Sequence, residues 1–438
     1  MAKQDLDINI HNVTRVEGHG NIVVNVKNGV LETCDLEITE SPRLFEAMLV
    51  GRPWQDAVHI TSRICGICSA GHTTASLRAM ENAIEVTPSE QTVLLRRLML
   101  HGEHLQSHYL HVFFLAVPDC LGVGSVIPLA GTHPEVVKMA LRLKRLGNDI
   151  CHTVGGRHIN PISLRVGGFT KLPAEDELAQ LRERLQASLA DAATTVELVT
   201  TLKLPRFERD MEFMAIHEPG KYPIYQGTSL KGSKAGEVDE QDYRKLIHEY
   251  VVLHSHAKHC KTDHESYMVG SLARFNINYD GLRTESKGAA AAMGLEPGCT
   301  NSYLNNVAQV VECVEFTLDG IDIIDALLER GLDQDDVVSA SMGSVNWRPG
   351  QGAAAVEVPR GTLVHDYTVG GDGLITAANL IIPTNMNLNN IEADMRKLVP
   401  EILDKPKDDI ALALEMLVRA YDPCISCATH LLQVDFVG

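Results

Sequence analysis

Four cysteines carry the clearest chemistry in this sequence. They stand as two C-x-x-C pairs, in Arg63-Ile-Cys65-Gly-Ile-Cys68-Ser-Ala-Gly-His72 and in Asp422-Pro-Cys424-Ile-Ser-Cys427-Ala-Thr-His430. The tight turn inside such a pair points both sulfurs the same way, so two thiolates can converge on one metal. Two pairs offer four soft ligands, which suit zinc, copper(I), an iron–sulfur cluster or nickel. A structural zinc site is the simplest use, but its knuckles usually lie ~15–20 residues apart in a small module. Here residues 69–423 lie between the pairs, one near each end of the chain. Such a site closes the whole fold around itself. A histidine follows each pair and a charged residue, Arg63 or Asp422, flanks it. On spacing alone, a structural zinc and a redox metal fit equally.

Two histidine groups also have ligand chemistry. His101, His104, His108 and His111 fall on one helix face, and His254, His256, His259 and His264 are close in sequence. A metal relay is possible on either group. Interior imidazoles bonded to backbone carbonyls are the commoner use and the expected one.

The two cysteine motifs resemble the paired signatures of nickel–iron hydrogenase large subunits. Further matches are Arg15-Val-Glu17-Gly18-His19, Pro359-Arg360-Gly361 followed by His365, and Leu380-Ile-Ile-Pro383-Thr384, so the resemblance runs essentially the full length. It implies that Cys65 and Cys424 are terminal nickel ligands. Cys68 and Cys427 then bridge nickel to an iron carrying carbon monoxide and cyanide. Arg360 is implied beside the open site, Thr384 as a hydrogen-bond donor to a cyanide, and Glu17 as the proton relay. Asp119 and Asp422 are implied to orient Arg360. Glu46, the Leu380 carbonyl and His430 match the family's magnesium site, whose hard cation takes oxygen ligands and water. The implied activity is reversible heterolytic cleavage of H2 to protons and electrons. In one respect the chain departs from the pattern: family members are usually cleaved just after the last motif histidine, and this one continues from Leu431 to Gly438.

These groups need elements to position them. Asn28-Gly29 between two β-rich runs, Asn21–Lys27 and Val30–Thr39, predicts a tight hairpin. Helical texture begins near residue 72. Thr87-Pro88-Ser89-Glu90 reads as a capping box with proline at the first helical position, opening a helix to about Leu115. Further helices are expected over Glu175–Leu202, Glu240–His259 and Leu304–Cys313, with a glycine loop at Gly155-Gly156. Val356–Pro383 reads as short strands and turns. The expected fold is α+β and mainly helical, a long-helix bundle with peripheral β-hairpins. It is taken as one domain over 1–438, with a β-rich edge (1–60), a helical body (61–350), a β-rich segment (351–390) and a C-terminal helix with the second motif (391–438).

Composition limits the partners. The chain has 438 residues, 45% of them hydrophobic, and a formal net charge of −18. No basic run supplies a phosphate-binding surface, so nucleic acid is not an expected partner. No apolar stretch approaches the ~20 residues that span a bilayer, and Met1–Ile10 lacks an export signal. A cytoplasmic location is expected. The other six of the ten cysteines, Cys34, Cys120, Cys151, Cys260, Cys299 and Cys313, stand singly and read as small buried hydrophobes. With no cluster spacing among them, electrons must leave through an iron–sulfur small subunit. Further flavin or iron–sulfur subunits are expected, since Thr14–His19 and Cys427–His430 resemble the soluble hydrogenases coupled to nicotinamide, deazaflavin or heterodisulfide modules. The rival is an electron-transfer or scaffold subunit of the respiratory complex I type, with zinc between the thiolates. That subunit shares the fold but lacks the four cysteines, so their presence points to the hydrogenase branch.

Overall fold

A computed structural model describes residues 5–337 and 345–430. The tail Leu431–Gly438, and with it the departure from the cleavage pattern, lies outside them. Seven long helices make the body: α1 (Ser69–Ile84), α2 (Glu90–Leu110), α3 (Pro134–Gly155), α4 (Glu175–Thr200), α5 (Asn305–Arg330), α6 (Pro383–Ile402) and α7 (Lys407–Ala420). α2 packs on both α3 and α5, and α4 lies along α5.

α2 starts later than its sequence suggests. Ser89, not Thr87, is the cap, and its hydroxyl accepts the Thr92 N–H at 3.0 Å. Proline restrains the residue before it to extended backbone, which leaves Thr87 outside the helix. At the far end Pro118 has no N–H to give, and the helix widens into a π turn over His111–Ala116. The Leu115 carbonyl there accepts from Arg15 at 2.7 Å.

α3 was not foreseen. Its markers are present, Pro134 in the first turn and the left-handed Gly156 after the last residue, so Gly155-Gly156 is a helix stop rather than a free loop. The expected helix over Glu240–His259 does not form. Asp239 caps a 3-10 turn over Glu240–Lys245, and the chain then runs extended so that His248–Tyr250 pairs with His259–Lys261. Beside it lies a four-stranded sheet, ordered Tyr267–Met268, Glu212–His217, Ser229–Gly232, Gly236–Val238, so the stretch between α4 and α5 is largely not helical.

Two antiparallel sheets flank the metal motifs. The N-terminal one joins Leu6–Ile10, Gly20–Lys27 and Val30–Ile38, and its hairpin turns on Asn28 (φ 51°) and Gly29 (φ 73°) as expected. The second joins Gly350–Val358, Gly361–Val369 and Ile375–Ile381 and is buried against α1. Pro359 and Arg360 form the turn between its first two strands, Val358 pairing with Gly361. Two large apolar cores meet at the C-terminal motif: Cys424 and Cys427 belong to one, Ile425 and Ala428 to the other.

A buried ion network fixes that turn. Arg274 donates to Glu312 at 2.6 and 2.7 Å, to Glu357 at 3.0 Å, and to the carbonyls of Val358 (2.9 Å) and Pro359 (3.3 Å). All three charged side chains are at most 1% exposed. Breaking one side of such a network leaves uncompensated buried charge. Arg274→Met should therefore cost about 3–5 kcal/mol, read as a lower urea midpoint of the purified protein, with Arg274→Lys between it and wild type.

Candidate metal centre

Cys68 sits at the head of α1 and Cys65 just before it, while Cys424 caps the short helix Ile425–Ala428 and Cys427 lies within it. The four sulfurs lie within 4.8 Å of one another, with Cys424 3.5 Å from Cys65 and 2.8 Å from Cys427. All four cysteines are buried free thiols. Without a metal, four sulfurs this close cannot all ionise. Hydrogen bonds from the other three hold Cys65 well below the usual thiol range, while burial and neighbouring sulfurs push Cys424 and Cys427 well above it. A soft cation fits this donor set and would displace the protons.

Arg43 ties the two motifs together. Its guanidinium donates to the carbonyls of Ile64 (2.6 Å) and Ser426, and its own N–H to Thr429 O (2.7 Å). No sequence motif marked it. Arg63, the expected flanking charge, is exposed and turns to the His59 carbonyl.

Glu17 reaches the site from the N-terminal loop. Its Oε2 lies 3.2 Å from Cys424 Sγ and accepts from Ser426 N at 3.0 Å, while its carbonyl accepts from Ile425 N at 2.9 Å. The approach requires Gly18: a Cβ there would lie 2.7 Å from Ile425 Cβ, at a φ of 88° that L side chains rarely adopt. Glu17 itself is only partly buried.

Arg360 is 4% exposed and points inward from its turn. It donates to Cys68 Sγ at 3.2 Å, and to Asp422 O and Oδ1 at 2.8 and 3.0 Å. Burial opposes its charge, but Asp422 and the sulfurs of Cys68, Cys424 and Cys65 keep it protonated. Asp422 takes a left-handed backbone (φ 52°), which aspartate tolerates better than most residues. Asp119 does not join it. Its hydrogen bonds go to Arg15 and to Arg419, the latter at 2.8 and 3.1 Å. The expectation that it orients Arg360 is corrected: it locks the N-terminal loop to the end of α7. Thr384 Oγ1 accepts from Cys424 N at 2.9 Å, leaving its O–H free to donate.

Glu46, Leu380 and His430 meet beside the thiolates. Glu46 Oε1 accepts from Leu380 N at 2.8 Å and lies 3.5 Å from His430 Nε2. Burial works against its charge, yet His430, Lys258 and that N–H hold its carboxyl below the usual range. Glu46 Oε2 and both His430 nitrogens are buried without a partner, which fits a cation that the carboxylate and imidazole would share.

Sequence reasoning missed Glu103, whose carboxylate accepts the N–H groups of Ala70 and Gly71 at 2.8–3.0 Å at the head of α1. Burial, opposed by those bonds, pushes its carboxyl up to about 8. His72 meets His365 at 3.3 Å, and His365 meets Tyr367 Oη at 2.8 Å, which accounts for both motif histidines. Along α2 and the π turn each histidine bonds on its own rather than in a cluster: His101 on Asp319, His104 on Leu100 O, His108 on Glu312, His111 on Gln309 and Arg419 O, with one ring nitrogen of His101, His104 and His108 left unpartnered.

A family model described as nickel-dependent hydrogenase matches residues 43–138 and 198–430, both cysteine pairs included. The chain belongs to the nickel–iron hydrogenase large-subunit family. A HoxL-like model matches residues 7–41 of the hydrogenase. The alpha subunit of sulfhydrogenase 1 from Pyrococcus furiosus is 33% identical over 98% of this chain and 99% of its own. A vhc F420-non-reducing hydrogenase subunit of Methanococcus voltae is 31% identical over 97% and 94%. Among solved structures, an NAD+-reducing [NiFe]-hydrogenase in the H2-reduced state superposes with a TM-score of 0.83 and 27% identity, covering 98% of this chain and all of that one. The protein is thus the catalytic large subunit of a nickel–iron hydrogenase, nickel-dependent, with a four-cysteine metal site and a place in a multisubunit enzyme. The complex I-like alternative gives way to this assignment. No helix among the described residues is long and apolar enough to cross a membrane.

Proposed function

We propose that Cys65 and Cys424 would serve as ligands of nickel, and Cys68 and Cys427 as ligands of both nickel and an iron bearing carbon monoxide and cyanide. When bound, that pair of metals supplies the site where the H–H bond is broken heterolytically and two electrons are taken up. The chain's residues handle the proton. Cys424 sulfur receives it, and Glu17, 3.2 Å away and part-exposed, takes it outward. That contact carries the proposal, because it links the buried thiolates to solvent through one carboxylate. Arg360 places a fixed cation over Cys68, and Asp422 holds its planar fork at two points. Thr384 orders the Cys424 backbone, and its O–H would be offered to a cyanide. Glu46, the Leu380 carbonyl and His430 would hold magnesium, a reading supported by their unpartnered buried atoms.

The chain acts as one unit, since its two ends build one site. Electrons pass to an iron–sulfur small subunit, then on to flavin or iron–sulfur partners, as suits an enzyme similar to sulfhydrogenase and NAD+-reducing hydrogenase subunits. A cytoplasmic location fits this reading.

Arg360→Lys tests the role of the planar cation. Lysine keeps the charge but cannot span Asp422 and Cys68 together. Hydrogen-dependent dye reduction by the assembled enzyme should fall roughly 100-fold, the scale of losing one preorganised donor, at unchanged nickel content. Wild-type turnover would remove Arg360 from the reaction.

A further inference from the structure

A second cluster of ligand-type side chains lies away from the thiolates. His254, His259 and Glu392 each offer one donor atom, and the three donors lie within 4.8 Å of one another. Glu392 sits on α6, eight residues beyond Thr384, or ~12 Å along the helix axis. His259 begins the strand His259–Lys261, and His254 lies in the loop before it. Asn385 of α6 donates to Lys258 O at 2.8 Å, which pins the strand to the helix.

The cluster is incomplete as a set of hydrogen bonds. His254 Nε2 meets Glu392 Oε1 at 2.7 Å, and the same oxygen accepts from Leu36 N at 3.1 Å. Arg396 stands on the other oxygen at 3.6 Å and is half-exposed, its closer partner being Asp35 at 3.0 Å. The His259 ring is edge-on to His254, with centroids 5.6 Å apart, and 5.9 Å from Tyr250. His259 is 1% exposed, yet its Nε2 has no partner. A buried imidazole nitrogen left unpaired is costly; His259 shares this with His101, His104 and His108, and differs from them in lying beside two further ligand-type side chains. His256 has found the ordinary solution, the Glu40 carbonyl at 3.0 Å, and His259 has not.

The geometry points to a site for one borderline divalent transition-metal ion of the zinc class, held by His254, His259 and Glu392. Two imidazoles and a carboxylate are the donor set such ions favour, and three protein ligands leave a position for water. His254 is 25% exposed, which gives the ion a way in from solvent. Through the Leu36 N–H bond to Glu392, the ion would clasp the N-terminal sheet, α6 and the strand pair at His259. The inference is independent of the hydrogenase chemistry, since none of the three residues touches the four-thiolate centre.

Cobalt(II) is the probe. The assembled, untagged enzyme, dialysed against EDTA, is titrated with cobalt and followed by visible d–d absorption and metal analysis. The expected result is one cobalt per chain that zinc displaces, with binding weakened at least about tenfold in both His259→Gln and His254→Gln. Nickel content and hydrogen-dependent dye reduction should stay at wild-type values in both variants. If His259→Gln fails to assemble, His254→Gln carries the test, because its side chain lies at the surface edge. Wild-type enzyme that takes up no such cobalt, or cobalt held equally tightly by His254→Gln, would overturn the site.

Discussion

Replacing Cys424 by serine will abolish hydrogen uptake. The sulfur sits 3.5 Å from Cys65, 2.8 Å from Cys427 and 3.2 Å from Glu17, so it is both a metal ligand and the first proton carrier in the proposal. A serine hydroxyl is far less acidic than a thiol and too hard a ligand for nickel. Loss of a group that only supports a ligand costs about 10–100-fold in metal affinity or activity, so losing the ligand itself should cost at least about 100-fold. Hydrogen-dependent dye reduction should fall to background, and nickel content should fall with it. The fold should survive, because Cys424 N still meets Thr384 Oγ1 and Ile425 N still meets Glu17 O. Substantial activity in a fully metallated variant would contradict the nickel assignment.

Glu17→Gln should separate two events that the wild type couples. Glutamine keeps the size of glutamate and most of its hydrogen bonding, including acceptance from Ser426 N, but cannot take up and release a proton. A positioned acid–base group contributes ~10²–10⁴-fold, and net uptake should drop by that order. Exchange of hydrogen with deuterated solvent should drop alongside it, since both need the exit from Cys424. Conversion between ortho- and para-hydrogen needs only reversible splitting in place and should persist. If all three fell together with nickel content, the substitution would have damaged the metal site. If solvent exchange kept its wild-type rate, a different group would carry the proton.

The thiolate site was legible in the sequence because its signal is covalent: a C-x-x-C turn points its sulfurs one way in almost any fold. Glu17, Arg360, Asp422 and Thr384 were reachable only through their motifs. What each touches depends on contacts across the whole chain, such as Glu17 against Ser426. Asp119 shows the limit. A carboxylate at a helix end is visible in sequence, but which arginine it meets is decided by packing, and Arg15 and Arg419 both reach it before Arg360. Arg43 and Glu103 act on backbone groups, carbonyls for one and helix N–H groups for the other, and such partners leave no pattern in side-chain types. The segment Glu240–His259 was misread because its capping aspartate and acidic first turn are genuine helix starts. Strand pairing of His248–Tyr250 with His259–Lys261 then overrides them. α3 is the converse case: Gly155-Gly156 reads as a loop by composition, yet Gly156 ends an amphipathic helix that packs on α2.

Nickel K-edge X-ray absorption on the assembled enzyme addresses the thiolate centre most directly. The predicted spectrum shows nickel in a sulfur shell of four with an iron scatterer just beyond it, and Cys424→Ser removes that signal. Enzyme that contains no nickel, with zinc in the four-sulfur shell instead, would contradict it.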